Sequence, residues 1–397
     1  MPHEVNSNFI IMISLTMRRN MPLTALTRCL CSTCGNVSKE VLEQLEVGYK
    51  KLMKSKSKSL LKKHLTKEIF DRLKCKMTPK YCSTLLDCIR SGLCRHESGV
   101  GIYAPDPGAY KTFAEIFDPI IESYHTGFKH TDKHPATCFG YGSDFPNLDP
   151  EQKFIVSTRV RCARSVEGFP FNPCLTKRNY KDLECLIKKP LRALCNEHAG
   201  SYHTLGCMDS DDIQKLVDAG LLFKGKNRFL KSANALRYWP TGRGIFINKT
   251  CTFVIWVNEE DHIRVIALEK GGDLGRVYER MIVGVESLAH SLKFSRDARL
   301  GNLTFCPTNL GCTIRASVHI KLPLLASNRR NFLELAKKHH LQVRGTLGEY
   351  SQALGGIYDI SNKRRMGLTE YEAVAEMHKG ISALIEAECE ESRKTRK

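Results

Sequence analysis

A chain of 397 residues with 42% hydrophobic and 26% charged side chains is too long for one compact core and too apolar for a disordered polymer, so we expect a soluble globular protein of two domains. No apolar run approaches the roughly 20 residues of a membrane-spanning helix, which excludes a transmembrane anchor of that kind. The formal charge of +19 predicts attraction to anions without choosing among nucleic acids, membranes and small phosphorylated molecules.

Residues 1–36 contain one acid, Glu4, and an apolar patch from Phe9 to Ile13 that precedes the basic pair Arg18-Arg19. A secretory leader has the opposite order, so we read an extension that is disordered or a targeting segment. The expected location is cytoplasmic, with the mitochondrion as the alternative if 1–36 is a transit peptide. Seventeen cysteines in such a chain read as reduced thiols, and no structural disulfide is expected. Cys29, Cys31 and Cys34 look like half of a metal site, but no matching cluster follows.

From Val41 to Ile89 apolar residues recur three and four apart, which predicts helices, with Thr66 as a cap before Lys67-Glu68. The lysine-dense stretch from Lys50 to Lys67 reads as a solvated helix face, and Cys75, Cys82, Cys88 and Cys94 as small core residues on helices. Glycines and prolines between Gly99 and Pro107 mark a functional loop. The boundaries are a small helical domain at 37–126 and a Gly-, Pro- and Asp-rich linker at 127–153.

A large domain at 154–392 and a basic tail at 393–397 follow. Short β-branched and aromatic runs (Phe154–Val156, Thr252–Val257, Val318–Ile320) alternate there with helical patterns (Gly275–Leu292, Arg329–His339, Thr369–Glu386). Periodicity leaves α/β and α+β both open for this domain.

Four of its segments place arginine at or beside a strand end: Ser157-Thr158-Arg159-Val160-Arg161, Arg264 after Asp261-His262-Ile263, Arg315-Ala316-Ser317, and Arg344-Gly345. Strand alternation puts Arg159 and Arg161 on one face, where two permanent cations call for an anion such as a triphosphate. Glu259, Glu260 and Asp261 crowd three carboxylates beside Arg264, a costly arrangement that calls for a cation, either a metal or a guanidinium. Arg344-Gly345-Thr346-Leu347-Gly348-Glu349 offers a second carboxylate on a Gly-rich loop. Cys306 precedes Pro307 and polar residues able to stabilise a thiolate, although spacing alone reads it as a buried structural cysteine.

The hexapeptide Cys306-Pro307-Thr308-Asn309-Leu310-Gly311, followed by Arg315-Ala316-Ser317-Val318-His319, resembles the signature of the phosphagen (ATP:guanido) kinases. The resemblance runs from about Glu40 to Glu388 and includes Trp239-Pro240-Thr241-Gly242-Arg243-Gly244. It implies an α+β fold: a small all-helical N-terminal domain, then a large domain with an antiparallel sheet flanked by helices. Within the family the chain is most similar to arginine kinases, because Glu349 stands where creatine kinases carry an apolar residue.

By this resemblance the nucleotide is expected at Ser157, Thr158, Arg159, Val160, Arg161, Arg264, Arg315, Ala316, Ser317, Val318, His319, Arg344, Gly345, Thr346, Leu347, Gly348 and Glu349. The guanidino substrate is expected at Ser98, Gly99, Val100, Gly101, Tyr103, Glu260, Cys306 and Glu349. Catalysis falls to Glu260, Glu349, Cys306, Arg264 and Arg315. The implied ligands are L-arginine and Mg2+ with ATP or ADP, the metal held mainly by phosphates and water. No nucleic-acid partner is expected, and the chain is expected to be a monomer, with a dimer as the alternative. Taurocyamine or lombricine as acceptor, and a weakly active binding protein of the same fold, are the rival readings. Their motive is a set of departures from the family pattern: Gly220 in place of a nucleotide-contacting His, Cys312 in place of Thr, an altered segment Leu347-Gly348-Glu349-Tyr350-Ser351-Gln352, and Glu97 in place of an Asp expected to pair with Arg228.

Overall fold

The computed structural model describes residues 36–395 apart from 224, 226 and 346–355. The expectations for residues 1–35, with Cys29, Cys31 and Cys34, and for Thr346, Leu347, Gly348 and Glu349 lie outside the described residues.

The N-terminal part is helical, with helices Lys39–Lys54, Leu60–His64, Lys67–Leu73, Leu85–Cys94, Ala109–Thr112 and Ala114–Tyr124. Local chemistry sets their starts. Ser38 and Thr66 accept the amides of Val41 and Ile69, and Thr84 and Asp87 form a reciprocal capping box. The apolar stripes of these helices meet in a core containing Leu45, Leu52, Phe70, Ile89, Phe117 and Ile120. The large domain completes that core with Leu303, Phe305, Leu310 and Met366, because a helical unit this small cannot cover its own apolar surface. Of the four cysteines expected in this core only Cys88 is there. Cys82 is half-buried, and Cys75 and Cys94 are exposed, one beyond a helix end and the other off the buried stripe.

Residues 127–153, read as a linker, pack against the large domain. Phe145 enters the large-domain core, and the buried carboxylate of Asp149 accepts the amides of Lys153, Phe154 and Ile155, which fixes the entry of the first strand.

The large domain is built on an eight-stranded sheet of β1 (Ile155–Arg164), β2 (Gly200–Thr204), β3 (Gly244–Asn248), β4 (Phe253–Val257), β5 (Ile263–Lys270), β8 (Arg315–Lys321), β9 (Leu341–Gly345) and β10 (Ile357–Asn362). A separate ribbon pairs β6 (Arg296–Asp297) with β7 (Gly301–Asn302). The order in the large sheet is β2-β3-β4-β5-β1-β8-β10-β9, and every pairing is antiparallel. This is the expected α+β class.

Helices Lys177–Leu191, Leu274–Ala289 and Glu370–Thr395 contribute Leu183, Ile187, Val277, Met281, Val374 and Met377 to the core on one face of the sheet. On the other face a smaller cluster around Phe223 and Trp256 covers the β3–β5 half. Arg393 and Lys394, expected in a tail, continue the last helix. Among the described residues no helix is long and apolar enough to cross a membrane.

Candidate active site

A cleft of about 400 Å3 opens where the two domains meet. Its lining includes Ser98, Gly99, Val100 and Tyr103 from the small domain and Arg161, Glu260, Arg264, Cys306, Asn309, Arg315, Arg344 and Arg365 from the large one. Thus the arginines of three separated strand segments, β1, β8 and β9, share one cleft.

Arg161 on β1 stands directly opposite Arg315 on β8. Like charges facing across strands destabilise a sheet unless something answers them. Asp359 on β10 answers Arg315, with Nη2 to Oδ2 at 2.7 Å, whereas Arg161 makes no ion pair among the described residues. Arg344 donates to Gln342 Oε1 at 3.1 Å. Arg159 lies outside the lining, 5.6 Å from the Trp256 ring, and burial beside Arg315 pulls its pKa down to about 10. The structure thus brings Arg161, Arg264, Arg315 and Arg344 to the cleft lining, while Arg159, on the same sheet face as Arg161, lies outside that lining.

Alternation also corrects several nucleotide assignments. Val160, Ala316 and Val318 point into the hydrophobic core, and the buried Thr158 donates its hydroxyl to Gly271 O at 2.7 Å. The Ala316 amide is taken by Asn362 Oδ1 at 2.9 Å. The side chains that share the face of Arg161 and Arg315 are Ser157, Arg159, Ser317 and His319, with Ser157 Oγ 3.2 Å from His319 Nδ1.

The acidic turn after β4 supplies its own cation. Arg264 reaches Glu259 at 3.1 Å, Asp261 at 3.3 Å and Glu260 at 3.6 Å. Burial works against its charge, but the three carboxylates outweigh it and hold its pKa above the ordinary guanidinium value. Crowding alone therefore does not demand a metal or a substrate cation. Burial raises Glu259 and pushes Asp261 up to about 7, and Asp261 Oδ1 is occupied by the Phe305 amide at 2.9 Å. Glu260 is the acid of the turn that lines the cleft; Asn309 Nδ2 fixes its Oε1 at 2.9 Å.

Asn309 is held in turn by Arg365, which reaches Asn309 Oδ1 at 3.0 Å, Ile314 O at 3.2 Å and Thr308 O. Arg365 lines the cleft, and burial lowers its pKa. Neither Arg365 nor Asp359 was marked by any sequence signal, since their partners lie tens of residues away. Asn309 was visible only as part of a motif.

Cys306 is buried, with Sγ 3.1 Å from Thr308 Oγ1. Burial and the charge of Glu260 push its pKa up to about 12. These surroundings favour the thiol over the thiolate, because the hydroxyl and amide of Thr308 do not offset lost solvation and a neighbouring carboxylate.

The small-domain loop is tied from two sides. The amides of Leu60 and Leu61 donate to Gly99 O and Val100 O, both at 2.9 Å, and Ala104 N donates to Phe305 O at 2.8 Å. Gly101, expected at the substrate, sits behind the loop. Its φ of +84° and the 3.1 Å that a Cβ would leave to Leu61 explain the glycine structurally. Glu97 meets Arg228 at 3.5 Å, the pairing expected from the sequence. Gly220, with φ +69°, ends helix Ser210–Asp218 in the left-handed conformation that favours glycine.

Two family models match this chain: the ATP:guanido phosphotransferase N-terminal domain over residues 55–122 and its C-terminal catalytic domain over 182–391. Arginine kinase 1 of Drosophila melanogaster is 58% identical over 352 residues, covering 89% of this chain and 99% of that protein. Arginine kinase of Schistocerca americana gives the same identity and coverage. Among solved structures, the substrate-free duplicated taurocyamine kinase of Schistosoma mansoni superposes with a TM-score of 0.82 at 44% identity. It covers 89% of this chain, which spans half the length of that protein.

Proposed function

The chain belongs to the ATP:guanido phosphotransferase family, and from that premise we propose that it is an arginine kinase, transferring the γ-phosphoryl group of ATP reversibly to a guanidino nitrogen of L-arginine. The observation that carries this reading is the convergence of Glu260, Cys306 and the Ser98–Val100 loop on the cleft walled by Arg161, Arg315 and Arg344. One wall suits phosphates and the other suits a planar cation.

In this reading the arginines take the phosphate oxygens and spread the charge of the transferring group, while Glu260 aligns the acceptor nitrogen. The bond from the γ-phosphorus to the ADP oxygen breaks as the bond to nitrogen forms. Glu260 receives the proton released by the guanidinium. Glu349, which the family resemblance pairs with Glu260, supplies the second carboxylate. Mg2+ enters with the nucleotide, bound by phosphate oxygens and water, in keeping with its reluctance to dehydrate. Among the described residues no group of three or more His, Cys, Asp or Glu is placed to hold a metal.

A coupled ATP assay over arginine, taurocyamine and lombricine tests the proposal. Turnover with arginine at least about tenfold above the other two is expected. A preference for taurocyamine or lombricine reassigns the acceptor, and no turnover with any of them leaves a binding protein of this fold.

A further inference from the structure

The motif Trp239–Gly244 stands out in the sequence, yet none of its residues lines the cleft. Its Arg243 is fully buried, and its hydrogen bonds run to backbone carbonyls: Nε to Asn258 at 3.2 Å, Nη1 to Arg237 at 2.8 Å and Thr241 at 3.0 Å, Nη2 to Ala235 at 3.1 Å. The guanidinium carbon lies 3.6 Å from the Tyr180 ring centroid. A buried cation is costly, and well-packed apolar side chains often replace one without loss of stability. The placement of Arg243 therefore calls for a geometric reason.

Asn172 supplies it. Also fully buried, it donates from Nδ2 to Glu259 O at 2.7 Å and Glu260 O at 2.9 Å. Two side chains outside the cleft thus hold three successive carbonyls, those of residues 258, 259 and 260. Tyr180 joins them into one unit, its hydroxyl donating to Asn172 O at 2.9 Å and Ala235 O at 3.2 Å while its ring lies against Arg243. The far end of the turn is closed by Asn258 N to His262 O at 2.9 Å.

Because each peptide is planar, fixing the carbonyl before the Glu260 Cα and the carbonyl after it fixes both peptide planes and hence the direction of the Cβ. We infer that Asn172 and Arg243 are positioning residues that act through Glu260: held from behind, the acidic turn fixes the direction of the Glu260 Cβ, and Asn309 then holds the carboxylate at the cleft. The kinetic part of this inference rests on the guanidino-kinase reading.

The test uses the full chain with Asn172→Ala, Arg243→Lys, Glu260→Gln and the double variant Asn172→Ala/Glu260→Gln. Thermal unfolding is recorded for each. Asn172→Ala and Arg243→Lys are expected to lower kcat by ~100-fold, with KM for ATP within about threefold of the parent. Adding Asn172→Ala to Glu260→Gln should cost less than about threefold, because the group being positioned is already disabled. Equal losses in both backgrounds, or an unchanged kcat in folded Asn172→Ala, overturn the inference. If Arg243→Lys does not fold, the Asn172 cycle decides.

A second readout does not depend on turnover. Iodoacetamide labelling of the Cys306 peptide at fixed pH should be at least about threefold faster in folded Asn172→Ala than in the parent, since Glu260 no longer stays beside the thiol. If the parent has no activity on any guanidino acceptor, the proposed function falls and this rate decides the positioning role; an unchanged rate overturns it.

Discussion

Tyr103 and Phe305 stack with ring centroids 4.4 Å apart and planes 5° from parallel, directly beside the Ala104–Phe305 hydrogen bond. Tyr103 belongs to the small-domain loop at the cleft, and Phe305 precedes the thiol of Cys306. The stack therefore links the loop expected to read the acceptor to the loop expected to touch its reacting end.

Phe305→Ala should break that link. Phe305 is fully buried in the shared core, so the loss is expected to be about 3–5 kcal/mol by denaturant unfolding. Partial retention by Phe305→Leu should restore most stability but not the stack, leaving KM for the guanidino acceptor raised and KM for ATP near the parent value. Equal changes in both KM values would separate the stack from acceptor recognition.

Arg315→Ala should lower kcat/KM well beyond tenfold, a loss above about 1.4 kcal/mol in transition-state stabilisation. Arg315 is already oriented by a carboxylate, Asp359 at 2.7 Å, and is thus preorganised for charge that develops during transfer. Asp359→Asn should reproduce part of the loss with Arg315 intact. A rate for Arg315→Ala within tenfold of the parent removes the arginine wall from the transition state.

Alternation makes the shared face of Arg159 and Arg161 legible in the sequence, whereas the grouping of Arg161 with Arg315 and Arg344 is carried by the family resemblance. The same alternation, applied consistently, rejects Val160 and Val318 as ligand side chains, although a motif taken as a block includes them. Glu260 stands at the cleft as expected, but carboxylate crowding is not what marks it, since Arg264 answers the crowding from within the turn. Arg365, Asp359 and Asn172 were illegible because each acts through a partner distant in sequence. The interlocked core of the two domains was hidden for the same reason: Phe305 and Met366 carry no local sign that they complete a small-domain core.

Cys306 should be among the slower thiols of the substrate-free protein. Burial and Glu260 hold its pKa near 12, whereas Cys75, Cys94, Cys138, Cys185, Cys195, Cys207 and Cys251 are exposed. Peptide mapping after limited iodoacetamide treatment at about pH 7.5, below the ordinary thiol pKa, should find these exposed thiols labelled before Cys306. Glu260→Gln should speed Cys306 by removing one cause of its raised pKa. Preferential labelling of Cys306 in the parent would show that its thiolate is stabilised after all.

His262 closes the acidic turn and gives the site a pH signature. Its ring accepts the Val166 amide at 3.0 Å through Nδ1 and lies 3.0 Å from Pro170 O through Nε2, and burial lowers its pKa to about 4. Between about pH 4 and the unfolded value near 6.5 the unfolded chain binds this proton and the folded chain does not, so acidification through that window costs stability. Asp261, raised to about 7, works in the opposite direction, which is why the total curve does not isolate either group. The difference between the parent and His262→Gln does. By denaturant unfolding at successive pH values, the parent should lose up to about 1.4 kcal/mol per pH unit more than the variant below about pH 6. Parallel curves would mean that His262 is protonated in the folded chain as readily as in the unfolded one, and the hydrogen bond from Val166 to Nδ1 could not then be holding the turn.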